Sequence, residues 1–230
     1  MAVVSQFVEN RTLGFSKDLY FNSAPYNFFV KVKIVTENSR AQLEVKYHGL
    51  NVTVNFFDIS TISSFDEAFK RFVDEFFLAF DLIKQLRKMY DEVTSSAEKQ
   101  EISELLYNAV TVTVDCFDSV QTYLREYAIA KRNLDEDSDK AQIEELWGQC
   151  VHELRAPTFA LKGYVELIYQ VTLPEPYEEK RSEYLAGFDR FLENNLVVLT
   201  AYKKHLAGEI DLYQYQTDEL IDKIKLENNL

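Results

Sequence analysis

Four segments between residues 65 and 206 repeat apolar residues at spacings of three and four, and this pattern restricts the fold more than any other feature. Such spacing places the apolar side chains on one side of a helix, where another helix can cover them. Only six Gly and four Pro occur in 230 residues, so few breaks interrupt these segments. The pattern therefore predicts four long helices. Their apolar positions are Phe65, Phe69, Phe72, Phe76, Ala79, Ile83, Leu86 and Tyr90; Ile102, Leu106, Ala109, Thr113, Cys116, Val120, Tyr123, Tyr127 and Ala130; Ile143, Trp147, Cys150, Leu154, Pro157, Leu161, Tyr164 and Ile168; and Tyr184, Leu185, Phe188, Phe191, Leu192, Val198, Leu199, Tyr202 and Leu206.

Helix-start signals precede three of these segments. Ser64 with Glu67 and Ser95 with Glu98 have the spacing of a capping box, in which the two side chains bond the free amides of the first turn. Asp139 with Gln142 marks a third start, and prolines at 174 and 176 separate the last two helices. Short connections predict two helical hairpins. The second hairpin buries itself best as half of a four-helix bundle, completed by a second copy of the chain or by the first hairpin.

Three short segments before the helices alternate apolar and polar residues. The segments 28–35, 41–47 and 50–56 have the two-residue period of strands with one buried face, and turn-forming residues separate them. They predict an antiparallel meander packed on the first hairpin. The fold class is α+β, mainly α. The predicted divisions are 1–62, a small meander; 63–136, a helical hairpin on the sheet; 137–210, a second hairpin; and 211–230, a short tail. After Gly208 the sequence predicts an extended stretch over 209–215 and a short helix over 218–226.

The net charge of −13 limits the classes of partner. An acidic surface repels nucleic acid and anionic lipid headgroups, so neither is an expected partner. No apolar run is long enough to span a bilayer, and the first ten residues do not resemble a signal peptide. We therefore expect a cytoplasmic protein. Both cysteines, Cys116 and Cys150, fall on apolar positions, where reduced thiols pack as small apolar groups, and no metal site is expected.

The third helix carries the candidate chemistry at His152. With Trp147 and Cys150 at the first and fourth heptad positions, His152 takes the sixth and points away from the bundle. Histidine side chains titrate near neutral pH, so an exposed imidazole offers a nucleophilic nitrogen. Glu153 is placed to orient the ring. Pro157 removes one helix amide and predicts a kink just beyond His152.

The string His152-Glu153-Leu154-Arg155-x-Pro157, followed by Leu161, Lys162, Gly163, Tyr164, Glu166 and Leu167, resembles the phosphoacceptor box of sensor histidine kinases. The similarity covers about residues 139–215. It implies a dimerisation and histidine-phosphotransfer domain with His152 as phosphoacceptor. The implied partners are a response-regulator receiver or a kinase catalytic domain in trans, together with a second copy of the chain.

The sequence departs from the family at three points. Val151 replaces a small polar residue before the histidine, and Ala156 replaces the Thr or Asn four residues after it that supports phosphatase activity in the family. About 22 residues follow Gly208, and no G-x-G occurs, so the family's ATP-binding domain is not expected. We expect no cofactor and no autonomous kinase activity. The chain is predicted to receive its phosphoryl group from another protein.

Two other interpretations remain open at this point. One is a kinase-derived helical regulator or scaffold that binds signalling partners without phosphate transfer. The other assigns the main activity to residues 1–130, as a sensor of a ligand or partner. A lone His-Glu pair on a helix is usually solvated surface, while His48 fits a turn and His205 fits the end of a helix.

Overall fold

A computed structural model describes the chain at residues 29–35, 40–47, 49–56, 64–131, 138–169 and 178–214. Three strands come first: β1 (Phe29–Val35), β2 (Arg40–Tyr47) and β3 (Leu50–Phe56). They pair antiparallel in the order β1-β2-β3, with Leu43 opposite both Val32 and Val54. The predicted meander is confirmed. The predictions for residues 1–28, 57–63 and 218–226 lie outside the described residues.

The sheet turns its apolar face toward the helices. Leu43, Val45 and Val54 are fully buried, whereas Lys46 and Thr53 on the opposite face are exposed. This is the two-residue alternation that the sequence predicts. The sheet contacts the first two helices, and the ring of Phe56 lies 5.3 Å from that of Phe76.

The helices are α1 (Phe65–Glu92), α2 (Ser96–Lys131), α3 (Ser138–Tyr169) and α4 (Glu178–Leu206). The first begins as predicted, because the side chain of Ser64 accepts a hydrogen bond from the Glu67 amide at 3.5 Å. The β-branched run 110–114 is helical within α2. There the Thr113 hydroxyl donates to the Ala109 carbonyl at 2.8 Å, so this buried polar group stays within its own helix.

The four helices form one bundle within the chain. Each packs on the next in sequence, and α4 also packs on α1. The predicted apolar positions supply most of the core, including Phe69, Leu106, Leu154 and Leu199, and the mainly α fold class is confirmed. The first hairpin therefore packs against the second in the same chain. A homodimer stays a prediction.

The chain turns back after α4 instead of continuing as the predicted extended stretch. Gly208 has a φ of 75°, which a side chain would disfavour, and residues Leu212–Gln214 form a short 3-10 turn. The Leu212 amide donates to Nδ1 of His205 at 3.2 Å, and Leu212 is buried. The extended prediction was wrong here because this imidazole binds the returning backbone.

None of the helices in the described part of the chain has an apolar stretch that could span a bilayer.

Candidate functional site

His152 lies on the outer surface of α3. Its side chain is exposed, as the heptad assignment predicts, while Trp147 and Cys150 are fully buried on the inner side. Gly148 and Ala156, one turn before and one turn after His152, are also exposed. A Cβ at Gly148 would meet nothing within 4 Å. The imidazole is therefore open to a large partner from both ends of this surface.

Arg155 is the nearest cation along the same side of α3. It follows His152 by three residues, a spacing that brings two helical side chains onto one face, and it is exposed. In the described part of the chain neither His152 nor Arg155 has a hydrogen bond or an ion pair. Both side chains are available to an incoming group. A guanidinium beside a phosphorylated imidazole would neutralise part of its charge.

Glu153 faces α4 rather than the outer surface. It is half-buried, and its carboxylate acts on the inward-facing Tyr202 and Cys150. Burial raises the pKa of the Tyr202 hydroxyl, and the nearby charges of Cys150 and Glu153 raise it further. Sequence reasoning placed Tyr202 in the core but did not predict this polar contact. The orienting role of Glu153 toward His152 stays a prediction.

Pro157 lies on the buried side of α3, and the helix continues through it from Ser138 to Tyr169. The predicted kink stays a prediction. The next residue makes a contact that the sequence did not predict, because the Thr158 hydroxyl donates to Oδ1 of Asn195 at 2.8 Å. Both side chains are fully buried, and the Asn195 amide donates to the Phe191 carbonyl at 2.9 Å. A polar residue inside the apolar run of α4 was the available signal.

An aromatic cluster supports the inner side of α3 beneath the histidine. The Trp147 ring lies 4.7 Å from Phe65, 5.6 Å from Phe69 and 5.8 Å from Phe72, all on α1. These are the distances at which aromatic rings attract one another beyond their apolar burial. These ring contacts join the helix that carries His152 to α1, in addition to its packing on α2 and α4.

Apolar side chains extend the outer surface of α3 beyond the histidine. Phe159 and Leu167 are 39% and 40% exposed, and Phe159 rests edge-on against Phe117 of α2 at 6.2 Å. Together with Ala156 they give this surface an apolar part next to the polar pair of His152 and Arg155. Protein partners commonly bind surfaces of this mixed kind.

The cysteines remain reduced and sit apart from the outer surface. Cys150 is buried, Cys116 is half-buried, and burial raises the pKa of both thiols. Neutral thiols of this kind are poor nucleophiles. In the ranges that the structure describes, no group of three or more His, Cys, Asp or Glu side chains could hold a metal ion.

Comparison with protein-family models, with curated proteins and with solved structures finds no match for this chain. The interpretation of the site therefore depends on the geometry around His152 and on the residues of the phosphoacceptor-like string.

Proposed function

We propose that the protein is a histidine phosphoacceptor of two-component signalling, in which His152 receives a phosphoryl group from another protein and transfers it to a receiver aspartate. The observation that carries this proposal is the position of His152. It is exposed on a helix whose inner side is fully buried, between two small residues and next to Arg155, which has no partner among the described residues.

The chemistry requires an exposed neutral imidazole and little else from the chain. A ring nitrogen of His152 attacks the phosphorus of a receiver acyl phosphate, or the γ-phosphorus of ATP held by a kinase catalytic domain. The bond from phosphorus to the donor oxygen breaks, and its electron pair stays on the carboxylate or on ADP. Arg155 reduces the negative charge beside the new phosphoimidazole. The reverse attack by a receiver carboxylate completes the transfer.

Glu153 and Pro157 have supporting roles in this proposal. Glu153 orients the imidazole after its carboxylate turns from Tyr202 toward His152, and Pro157 allows the helix to bend during that change. The partners are a response-regulator receiver or a kinase catalytic domain, and the protein acts in the cytoplasm. Nucleic acid is not a proposed partner, since the net charge is −13. The resemblance also predicts a homodimer through the apolar faces of α3 and α4, but in this chain side chains of the first hairpin already cover those faces.

The test supplies phosphorylated receivers, and separately kinase catalytic domains with ATP, to the full chain. We expect phosphate that is lost in acid and stable in base, and that is absent in His152→Gln. His205→Gln is the matched control and keeps the phosphate, because His205 lies at the far end of α4 and binds backbone atoms. No labelling across a broad panel of both donors, or labelling that persists in His152→Gln, would refute the proposal.

A second function, a non-catalytic regulator that binds signalling proteins, is favoured by the inward position of the Glu153 carboxylate. An imidazole without an acidic neighbour on its own surface is a weaker nucleophile. Val151 and Ala156, which replace polar residues of the family's string, also favour this alternative. If His152→Ala binds a receiver or kinase as tightly as the unmodified chain and keeps its biological effect, this second function replaces the first.

A further inference from the structure

The inner faces of α3 and α4, which a homodimer of the family's kind would require, are already covered by the first hairpin. Trp147 of α3 packs on three phenylalanines of α1, and Tyr202 of α4 lies 6.0 Å from Phe69. Trp147, Tyr202 and Phe69 are all almost completely buried. A second copy cannot reach these side chains unless α1 and α2 leave them.

Charged pairs on the rim show that the first hairpin is fitted to the second. Between α1 and α4, Lys203 pairs with Asp74 at 3.2 Å and Lys84 pairs with Glu193 at 3.1 Å. Arg87 binds both oxygens of Asp189, at 2.9 and 3.0 Å. As α1 advances from 74 to 87, its partners on α4 retreat from 203 to 189. The three pairs therefore share one antiparallel register.

The opposite seam, between α2 and α3, is also matched. Lys162 of α3 pairs with Asp115 of α2 at 3.1 Å, and the Tyr127 hydroxyl donates to Glu144 at 2.9 Å. A hairpin that only covered an apolar surface would not need complementary charges along both of its edges. Charge complementarity sets register and partner choice more than it sets affinity.

We propose that the α1–α2 hairpin takes, within one chain, the place that a second α3–α4 hairpin takes in the dimers of sensor histidine kinases. The chain then forms a complete bundle that carries a single acceptor histidine. One consequence depends on the proposed function: the phosphoryl donor must approach His152 from the outer side of α3, since the inner side has no room for a paired helical hairpin.

The competing arrangement is a dimer formed by exchange, in which the first hairpin of one copy covers the second hairpin of another. Exchange preserves every contact above and changes only which chain supplies each partner. A test must therefore ask whether α1 and its α4 partner belong to the same chain.

Charge reversal answers that question at the Arg87–Asp189 pair. Arg87 is only 8% exposed, so Arg87→Glu or Asp189→Arg alone lowers the melting temperature by roughly 5 °C or more. The two changes in one chain recover a large part of that loss; recovery is incomplete because Asp91 also pairs with Arg87. An equimolar mixture of the two single variants, unfolded and refolded together, shows no recovery. We expect light scattering to give the unmodified chain a particle mass near 26.9 kDa, the mass of one chain, at all concentrations.

The more exposed pair of Lys84 and Glu193 serves as a second test if the first variants fold poorly. We expect Lys84→Glu and Glu193→Lys each to lower the melting temperature by a smaller amount, with recovery when both changes are in one chain and no recovery in the mixture. Recovery in the mixture, together with a particle of two chains, would overturn the proposal in favour of exchange. These measurements do not involve phosphate. A single-chain particle that takes no phosphate refutes only the phosphoacceptor function, whereas an exchanged dimer that is phosphorylated at His152 refutes only this inference.

Discussion

The two sides of α3 differ in the role of their residues: those on the inner side pack in the core, and those on the outer side include the candidate functional residues. The inner side places Trp147, Cys150 and Leu154 at full burial in the apolar core that the helices share. The outer side places His152, Arg155 and Ala156 in solvent. A substitution on the inner side acts through packing, while one on the outer side leaves packing intact. The difference shows that stability and candidate function can be altered separately on one helix.

The largest expected effect comes from Trp147, the only tryptophan of the chain. Trp147→Ala removes the ring that packs on Phe65, Phe69 and Phe72 and leaves a cavity, so we expect the free energy of unfolding to fall by about 3–5 kcal/mol. Urea unfolding followed by circular dichroism measures the loss. The matched control is Gln149→Ala on the exposed side of the same turn, which changes stability by less than about 0.5 kcal/mol. Similar losses in both variants would contradict the assignment of the two sides.

The next effect concerns the buried hydrogen bond between α3 and α4. Thr158→Val keeps the side-chain shape but removes the donor to Asn195, so a buried acceptor loses its partner, and the free energy of unfolding falls by about 1–3 kcal/mol. Adding Asn195→Leu recovers part of the loss. The control is Thr200→Val, whose hydroxyl bonds the Leu196 carbonyl of its own helix and is half-buried. If the free energy of unfolding of Thr158→Val equals that of the unmodified chain, this hydrogen bond does not help to hold α3 against α4.

The heptad pattern predicted the inner side of α3 well because burial follows from spacing alone. Trp147, Cys150 and Leu154 lie where the period places them, and His152 is exposed for the same reason. The pattern did not predict burial of Val151. Two seam positions per heptad describe a helix with one neighbour, whereas α3 packs on both α2 and α4.

The polar contacts between α3 and α4 could not be predicted from the sequence, because they depend on how the two helices are aligned along their axes. The period fixes which side of each helix is buried but not how far one helix slides along the other. Whether Thr158 meets Asn195, or Glu153 meets Tyr202, depends on that axial register. The antiparallel order of the strands was easier to predict, since short turns join strands that are neighbours in the sequence. The proposed acceptor is His152, and the pattern did place this residue on the outer side of α3.

A third prediction concerns alkaline pH and the buried Cys150 thiol. Burial, with the nearby Glu153 charge, raises the pKa of Cys150 above its ordinary value of 9.0 in the folded chain. Below pH 9.0 the thiol keeps its proton in both the folded and the unfolded chain, so its ionisation does not lower the free energy of unfolding. As the pH rises further the unfolded chain alone loses this proton, so the free energy of unfolding falls by up to about 1.4 kcal/mol per pH unit.

Cys150→Ala isolates this contribution. Between the ordinary values of 9.0 for a thiol and 10.0 for a tyrosine, the buried Tyr202 contributes little to the slope. We therefore expect urea unfolding of Cys150→Ala to depend less steeply on pH in this interval than that of the unmodified chain, whatever the absolute loss from the smaller side chain. Equal slopes would mean that the thiol is more accessible to water than its position implies.

The smallest expected effect has opposite signs on the two sides of α3. Gly163 is exposed on the outer side, and a Cβ there meets nothing within 4 Å, so Gly163→Ala raises the free energy of unfolding by about 0.5–1 kcal/mol through helix propensity. Gly187 of α4 is buried against the inner side, and a Cβ there lies 2.4 Å from the Tyr164 ring. Overpacking outweighs the propensity gain, and Gly187→Ala lowers stability by about 1 kcal/mol.

Urea unfolding of the two variants measures both signs, and a third variant tests the cause. With Tyr164→Ala the ring is gone, so adding Gly187→Ala to that background is no longer destabilising. If Gly187→Ala instead stabilises the chain as much as Gly163→Ala does, Tyr164 moves aside without loss, and α3 and α4 are less closely packed at this end. The inner side of α3 would then be closely packed only around Trp147 and Thr158, which lie nearer to His152 than Tyr164 does.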